Sequence, residues 1–558
     1  MRKLVIGLFL LTSSVMQVMA QQPATFKNGV IVSAHPEASK VGVDILKKGG
    51  NAVDAAVAVE LALAVVYPNA GNIGGGGFLI YRGHDGKIDA LDYREKAPGQ
   101  ARENMYWGAD AEAITELSLR GSLSAGVPGT VDGMVKAHAK YGSLTWEELV
   151  QPAIDLASKG FLLTEKQANE FTKNNEVFVK YNTRETALTS KTQWQAGDLF
   201  VQEELANTLR RIQQEGRKGF YEGETAELIV AEMKRGNGMM TLEDLKNYEA
   251  VWRTPIVGQY KGLKVISMPP PSSGGIALIS LFQSIEKFPL KKWGFQSEKA
   301  VQVMVEAERR VYADRAEHLG DPDFHNVPVT KLVDKGYNVD RMKSMSFDKA
   351  TKSEDIKAGD IALPESEETT HYCVVDQWGN AVSATTTLNG SYGSKVVVGG
   401  AGFLLNNEMD DFSVKPGVPN MYGLVGGKAN AIEPNKRMLS SMSPTILEKN
   451  GKLYMVVGTP GGSTIITSVF QTILNVVEFG MNMQEAVAAP RFHHQWLPDR
   501  IDYEASAIDL KVRERLTEKG YILKQRKPYG RVEGVLVLPN GEYEAGADPR
   551  GDDVANGY

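Results

Sequence analysis

The pattern of apolar and polar positions changes character along the chain. After Asn51 the segment AVDAAVAVELALAVV is apolar on nearly every side, which predicts a helix buried inside a layered fold. Residues 140–350 read mostly as amphipathic helices, for example AELIVAEMKR and SEKAVQVMVEAERRVYADRAEHL. From Thr369 onward strand patterns dominate: HYCVVD, AVSATTTL, KVVVGGAGFLL, LYMVVG and a final pair around GVLVLPNGEYEAG. Helices outside and strands inside predict an α/β layered sandwich.

Two adjacent threonines stand where an acidic stretch becomes a strand, in ESEETTHYCVVDQWGN. If QWG forms a three-residue hairpin loop with its glycine in the left-handed position, Asp376 faces Asn380. Counting back along both strands then places Thr387 directly opposite Thr369. Side chains in such cross-strand pairs lie roughly 5 Å apart, close enough for hydroxyl groups to bond. A two-residue turn would shift the register and break the pairing.

The threonine pair has two interpretations. The first is an ordinary cross-strand pair that stabilises the hairpin slightly. The second is catalytic: an N-terminal threonine becomes nucleophilic when its own α-amine, which titrates near pH 7.7 in model peptides, acts as base. That chemistry requires a chain break before Thr369, and attack by Thr369 on the carbonyl of Glu368 would supply one. The local pattern alone leaves both open.

Composition and charge restrict the partners and the compartment. A net charge of -6 over 558 residues argues against a nucleic-acid surface and favours small neutral or zwitterionic ligands. Residues 1–20 carry Arg2 and Lys3, the apolar run LVIGLFLL and a small-residue end at Ala20, which predicts a signal peptide and a periplasmic or secreted protein without a membrane span. Cys373 is the only cysteine, so no intrachain disulfide is expected.

Two further motifs have an ordinary structural interpretation. The four glycines Gly74–Gly77 lack the residues that complete a nucleotide-binding loop, so close backbone packing is favoured. Histidines and carboxylates with zinc-like spacing occur in two segments, but neither has an HExxH pattern or a cysteine partner, so loops without metal are favoured. These residues are His318, Asp321, Asp323 and His325, and separately His493 and His494.

Several sequence blocks resemble those of bacterial γ-glutamyltranspeptidases. They include TTHYCVVD, LLNNEMDDF, PGVPNMYGLVGG, NKRMLSSMSPT, GTPGGS, YREKAPGQA, PGTVDGM, MPPPSSGG, GDPDF and APRFHHQWLPD, in family order over essentially the whole mature chain. The resemblance implies the four-layer αββα sandwich of the N-terminal nucleophile hydrolases, without a cofactor. It also implies cleavage between Glu368 and Thr369 into a helix-rich large subunit, 21–368, and a small subunit, 369–558, which stay together as a heterodimer.

The resemblance also assigns roles to residues. Thr369 would attack the γ-carbonyl of a γ-glutamyl donor such as glutathione, and water, an amino acid or a dipeptide would then accept the γ-glutamyl group. Thr387 would support the nucleophile, and the amides of Gly461 and Gly462 would hold the oxyanion. The implied donor-binding residues are Arg94 for the α-carboxylate, Asn389, Glu408, Asp411, Ser440, Ser441 and, in a lid within the loop 416–436, Tyr422. Some bacterial members carry glutamine where this chain has Glu408.

Two other functions stay open from the sequence. One is an N-terminal nucleophile acylase for a different amide, such as a glutaryl β-lactam side chain. The other is an exported binding protein that keeps the fold without catalysis. The set Arg94, Glu408 and Asp411 favours a donor with both an α-carboxylate and an α-ammonium group, because acids and a cation are both present.

Overall fold

The computed structural model of the protein describes residues 23–110, 112–356, 369–414 and 428–558. The signal peptide expected at 1–20, Glu368 and Tyr422 of the expected lid lie outside these residues. Among the described helices, none combines the length and apolarity needed to cross a lipid bilayer.

Two seven-stranded antiparallel sheets form the centre of the molecule. Two further small sheets lie outside them. The strands are β1 (Ala24–Phe26), β2 (Val30–Ser33), β3 (Gly76–Arg82), β4 (Ile88–Asp92), β5 (Phe161–Leu162), β6 (Leu199–Phe200), β7 (Val251–Arg253), β8 (Ile256–Tyr260), β9 (Leu263–Ser267), β10 (Thr369–Val375), β11 (Ala381–Thr387), β12 (Thr445–Lys449), β13 (Lys452–Gly458), β14 (Phe492–His493), β15 (Ile501–Glu504), β16 (Leu523–Arg526), β17 (Glu533–Val537), β18 (Tyr543–Ala547) and β19 (Val554–Gly557).

The strand orders mix early and late parts of the chain. One sheet runs β1-β18-β17-β13-β12-β9-β8 and the other β19-β2-β10-β11-β3-β4-β7. In the first sheet, β8 and β9 come from the region that the sequence pattern assigned mostly to helices. Each sheet therefore needs strands from both sides of position 369.

Helices cover the outer face of each sheet, and further helices pack against these. They are α1 (Pro36–Lys47), α2 (Ala52–Val66), α3 (Glu116–Leu119), α4 (Thr130–Tyr141), α5 (Trp146–Lys159), α6 (Glu165–Tyr181), α7 (Glu203–Glu215), α8 (Lys218–Tyr221), α9 (Gly223–Arg235), α10 (Leu242–Asn247), α11 (Gly274–Ile285), α12 (Leu290–Trp293), α13 (Glu298–His318), α14 (Val329–Leu332), α15 (Lys335–Arg341), α16 (Thr464–Val477), α17 (Met483–Ala488) and α18 (Leu510–Glu518). Helix α2 is buried along its whole length, as its sequence predicts, and begins with a capping box between Asn51 and Asp54.

The two faces of β10 show how the layers stack. Tyr372 and Val374 pack into the core that contains α2. Cys373 and Val375 point the other way, into the core shared with β12, β13, α11 and α16. Because successive side chains of a strand alternate between faces, β10 has a helical layer on one side and the second sheet on the other. The predicted αββα sandwich is confirmed.

The β10–β11 hairpin has the register that was counted from the sequence. The Asp376 N–H donates to Asn380 O at 3.1 Å, and Gly379 has φ +84°. Thr369 pairs with Thr387. The three-residue loop is confirmed, and its glycine adopts the left-handed conformation that such a loop favours.

The glycine run packs closely against β11, as expected. A Cβ atom on Gly75 would lie 2.1 Å from the carbonyl oxygen of Thr387, and one on Gly77 would lie 2.5 Å from that of Thr385. The strand predicted for KVVVGGAGFLL is wrong: the segment forms only an isolated bridge between Val397 and Leu404. Gly400 and Gly402, with φ of +84° and +77°, fold it back on itself.

Candidate active site

Nine of the residues singled out from the sequence line one cavity of about 240 Å³. They come from the start of β10, the end of β11, the loop after β4, the turn around 408–411, the segment before β12 and the start of α16. The lining residues are Arg94, Thr369, Thr387, Asn389, Glu408, Asp411, Ser440, Ser441 and Gly462, together with Met442 and Ile465. The apolar pair was not singled out from the sequence, because nothing in an isolated Met or Ile marks it as a cavity wall.

The two threonines meet at the cavity. Thr369 Oγ1 lies 3.5 Å from Thr387 Oγ1. Thr387 Oγ1 also accepts a hydrogen bond of 2.8 Å from the backbone N–H of Asn389, which has φ +70°. Both threonines are buried, so the geometry holds the two hydroxyl groups together with little access for water. An alcohol placed in this way has a fixed neighbour with which to exchange a proton.

Asn72 fixes the end of β11 from behind. Its amide nitrogen donates to Thr387 O at 2.9 Å and to Thr386 Oγ1 at 3.0 Å. Its amide oxygen accepts from Gly75 N at 2.9 Å and from Thr130 Oγ1 at 2.7 Å. Sequence reasoning missed this residue. The one available signal was its position, two residues before the glycine run.

Gly461 and Gly462 connect β13 to α16. Their φ values are +135° and +55°, conformations that side chains other than glycine rarely adopt. The turn places Gly462 at the cavity, just before the first turn of α16. Backbone N–H groups at a helix start have no partner inside the helix and carry partial positive charge, which suits them to an oxyanion.

Arg94 is buried among three carboxyl groups. Its guanidinium contacts Glu408 and Asp411, and lies 3.6 Å from Glu95. Burial raises the pKa of Glu408 to about 8 even though Arg94 lowers it, and raises that of Glu95 to about 7. The site thus contains more acidic groups than cations, and the expected cation and acids of the donor site contact one another.

The serine pair is supported by the segment MPPPSSGG. Ser273 donates to the carbonyl oxygen of Ser440 through both its N–H and its hydroxyl, each at 2.7 Å. Ser440 Oγ accepts the N–H of Met442 at 3.2 Å. The blocks MPPPSSGG and NKRMLSSMSPT lie far apart in the sequence. These hydrogen bonds join them into one wall of the cavity.

The segments with zinc-like spacing have other partners. The carboxylate of Asp323 pairs with Arg253 at 2.8 Å, and His493 Nδ1 lies 2.8 Å from Thr467 Oγ1. Burial lowers the pKa of His494 to about 4. Within the described ranges, no three His, Cys, Asp or Glu side chains are grouped as a metal site would require.

Comparison with known proteins gives consistent relatives. The Gamma-glutamyltranspeptidase family matches residues 38–558. A glutathione hydrolase proenzyme of Escherichia coli K12 is 47% identical over 541 residues, which cover 96% of this chain and 93% of that protein. Among solved structures, a γ-glutamyltranspeptidase of Helicobacter pylori is 45% identical with a TM-score of 0.57, over 58% of this chain and 94% of that chain. A cephalosporin acylase of Bacillus halodurans has a TM-score of 0.85 at 25% identity, over 99% of both chains.

Proposed function

Since the chain belongs to the gamma-glutamyltranspeptidase family, we propose that it cleaves itself before Thr369 and then uses this threonine to hydrolyse and transfer γ-glutamyl groups. Glutathione is the proposed donor, because a relative that is 47% identical is a glutathione hydrolase proenzyme. The observation that carries the proposal is the position of Thr369, 3.5 Å from Thr387 in a cavity that also contains Arg94, Glu408 and Asp411.

Self-cleavage needs only the Thr369 hydroxyl and water. The oxygen adds to the carbonyl carbon of Glu368, the hydroxyl proton passes to the peptide nitrogen as the C–N bond breaks, and the acyl group is left on the oxygen as an ester. Water then hydrolyses this ester, which leaves a carboxylate on Glu368 and a free α-amine on Thr369. The α-amine is the base that the next reaction requires.

In the proposed catalytic cycle the same hydroxyl attacks the donor. The α-amine accepts the hydroxyl proton while Thr369 Oγ1 bonds to the γ-carbonyl carbon. The N–H groups of Gly461 and Gly462 stabilise the oxyanion, and the proton passes to the leaving amine as the amide bond breaks. The γ-glutamyl ester on Thr369 is then attacked by water, which gives glutamate, or by the amine of an amino acid or dipeptide.

The charged groups of the cavity fit the amino acid end of this donor. We assign the α-carboxylate to Arg94 and the hydroxyls of Ser440 and Ser441, and the α-ammonium to Glu408 and Asp411, with Asn389 beside them. In the unliganded site Arg94 contacts both acids. A zwitterionic donor therefore replaces the contacts between Arg94 and the acids by contacts to its own carboxylate and ammonium groups. No buried charge is left unpaired, and an unpaired buried charge would be costly.

The proposed subunits are 21–368 and 369–558, which remain together as a heterodimer after export. Interleaved strands in both sheets support the association. The sequence of residues 1–20 supports the periplasm or the exterior as the location. Tyr422 is proposed as a lid residue from the family resemblance.

The proposal is tested by purifying the wild-type protein and Thr369→Ala. Wild type should give two bands on a denaturing gel, with a small fragment whose amino-terminal sequence is TTHYC. It should release glutamate from glutathione, whereas Thr369→Ala should remain one band without activity. A variant that still divides at Glu368 would show that another protease makes the cut. An undivided, inactive wild type would instead support the binding-protein alternative.

A specific observation also favours an acylase: the TM-score of 0.85 to a cephalosporin acylase over 99% of both chains. The two functions differ in the donor, because a glutaryl group lacks the α-ammonium group that Glu408 and Asp411 would bind. Rates with γ-glutamyl-p-nitroanilide and glutaryl-p-nitroanilide therefore decide between them. We expect the γ-glutamyl compound to react faster and Asp411→Ala to abolish this preference; a faster glutaryl reaction would support the acylase.

A further inference from the structure

Arg315, near the end of α13, contacts Ser441 of the serine pair and is not among the residues that line the cavity. Its Nη2 donates to Ser441 Oγ at 2.9 Å, and its Nε donates to Ser273 Oγ at 2.9 Å. Ser273 in turn donates its hydroxyl proton to Ser440 O. The sequence identified this segment only as part of an amphipathic helix, and Arg315 itself is buried.

The chemistry of arginine fixes the direction of these hydrogen bonds. A guanidinium group has five N–H donors and no acceptor, so both serine oxygens must accept. Ser273 Oγ accepts from Arg315 and passes its own proton on to a carbonyl group. Ser441 Oγ accepts in the same way, but it donates no hydrogen bond to another described residue. Its proton therefore remains available to whatever occupies the cavity that Ser441 lines.

We infer that Arg315 is a positioning residue for the donor site: it holds the Ser441 hydroxyl as a hydrogen-bond donor to the α-carboxylate of the γ-glutamyl substrate. This inference rests on the proposed function. A bond from a cationic donor is stronger than a neutral one and polarises the hydroxyl, which makes the serine a better donor to an anion.

Arg94 alone would serve this carboxylate poorly. Its guanidinium already contacts Glu408 and Asp411, so an entering carboxylate shares that charge with two acids. Arg315 supplies a second cation one hydrogen bond behind Ser441. Ser440 Oγ also accepts a hydrogen bond, from the N–H of Met442. Specificity for a carboxylate over a neutral group at this position thus depends on Arg315 as well as on Arg94.

The test compares two competitive inhibitors of γ-glutamyl-p-nitroanilide hydrolysis: L-glutamate, and isoglutamine, in which an amide replaces the α-carboxylate. Arg315→Met removes the donor. We expect it to raise the Ki of L-glutamate about tenfold, the size of one charge-assisted bond, and that of isoglutamine less than twofold. Arg315→Lys keeps the charge and one donor, so its Ki for L-glutamate should lie between wild type and Arg315→Met.

Arg310→Met is the matched control. Arg310 lies on the same helix and is also buried, but its guanidinium bonds Glu306 and Ser344 and no residue of the cavity. Its loss should leave the ratio of the two Ki values unchanged. Self-cleavage of each variant is checked on a denaturing gel. If Arg315→Met does not cleave itself, the ratio is measured with Arg315→Lys. That variant must then raise the Ki of L-glutamate more than that of isoglutamine.

A double variant separates positioning from general structural damage. If Arg315 acts through Ser441, adding Arg315→Met to Ser441→Ala should change the Ki of L-glutamate less than twofold. Three results would overturn the inference: an equal rise in the Ki of both inhibitors, an unchanged ratio of the two Ki values, or a full effect of Arg315→Met in the Ser441→Ala background. An active wild type with any of these results refutes only the role of Arg315. A wild type that releases no glutamate refutes the proposed function.

Discussion

At the scale of single residues, the proposed donor site brings opposite charges into contact. Arg94 contacts Glu408 and Asp411, which offsets part of the cost of burying these groups, although burial still raises the pKa of Glu408. The sequence resemblance identified these residues. It did not reveal that Arg94 contacts the two acids, since its number lies more than three hundred positions from theirs. Separation in sequence also hid Asn72 and Arg315, which lie 315 positions from Thr387 and 126 from Ser441.

The raised pKa of Glu408 predicts a pH effect on stability. The pKa is about 8 in the folded protein and about 4.3 in an unfolded chain. Between these values the folded state binds the proton more tightly, so the free energy of unfolding falls as pH rises, by up to about 1.4 kcal/mol per pH unit. Thermal denaturation of wild type and Glu408→Gln between pH 5 and 8 should show a smaller decrease in the variant. Parallel curves would contradict the assignment.

Thr387→Val tests the threonine pair with little change in volume. It removes the hydroxyl that lies 3.5 Å from Thr369 Oγ1 and leaves the N–H of Asn389 without its acceptor. We expect kcat for γ-glutamyl-p-nitroanilide to fall about tenfold to a hundredfold, because leaving a buried hydrogen-bonding group unsatisfied costs about 1–3 kcal/mol, with slower self-cleavage.

Thr370→Val is the control for this substitution. Thr370 is equally buried beside the nucleophile, but its hydroxyl has no hydrogen-bond partner in the described structure. We expect activity within about twofold of wild type, because replacing an unpaired buried hydroxyl by a methyl group is close to neutral. Equal losses in both variants would mean that packing, and not the Thr387 hydroxyl, is responsible.

At the scale of elements, the sequence predicted features that depend on local interactions better than features that depend on distant parts of the chain. The β10–β11 register was computable because a three-residue loop and Gly379 fix it locally. Helix α2 was predictable because its apolar character continues without a polar face. The strand expected over KVVVGGAGFLL failed because Gly400 and Gly402 turn the chain, and β8 and β9 were missed inside a helical region. A short apolar run does not distinguish a buried strand from a segment of buried helix by its pattern alone.

The glycine run provides a prediction at this scale. Gly75→Ala would place a Cβ atom 2.1 Å from Thr387 O, so the end of β11 must move away from β3. We expect a loss of stability of about 1–3 kcal/mol, typical of overpacking, and slower self-cleavage, since Thr387 shifts relative to Thr369. Urea denaturation and a gel time course measure the two effects.

Gly336→Ala serves as the comparison. The nearest atom to a Cβ at this helical glycine is Asp334 Oδ1 at 3.1 Å, which caps the helix through the N–H of Tyr337 and needs to shift by only a few tenths of an ångström. The substitution should change stability by less than about 1 kcal/mol and self-cleavage not at all. Gly75→Ala with wild-type stability and cleavage would show that β11 tolerates displacement at this point.

At the scale of the whole molecule, position 369 divides the sequence but not the sheets. Five strand pairs join a strand before Thr369 to one after it: β1–β18, β9–β12, β2–β10, β2–β19 and β3–β11. Cutting the chain removes none of these ladders. The two subunits should therefore co-elute on size exclusion in native buffer and separate only in denaturant. Separation at dilute native concentration would contradict an interleaved core.

The interleaving has a consequence for quality control during biosynthesis. Neither part of the chain can complete either central sheet alone, and the β10–β11 hairpin that carries Thr369 and Thr387 lies between β2 and β3 from the other side of the cut. The proposed scission before Thr369 would thus act as a checkpoint that only a correctly assembled polypeptide passes. A misassembled copy would stay in one piece and would not acquire the amine that makes the threonine reactive.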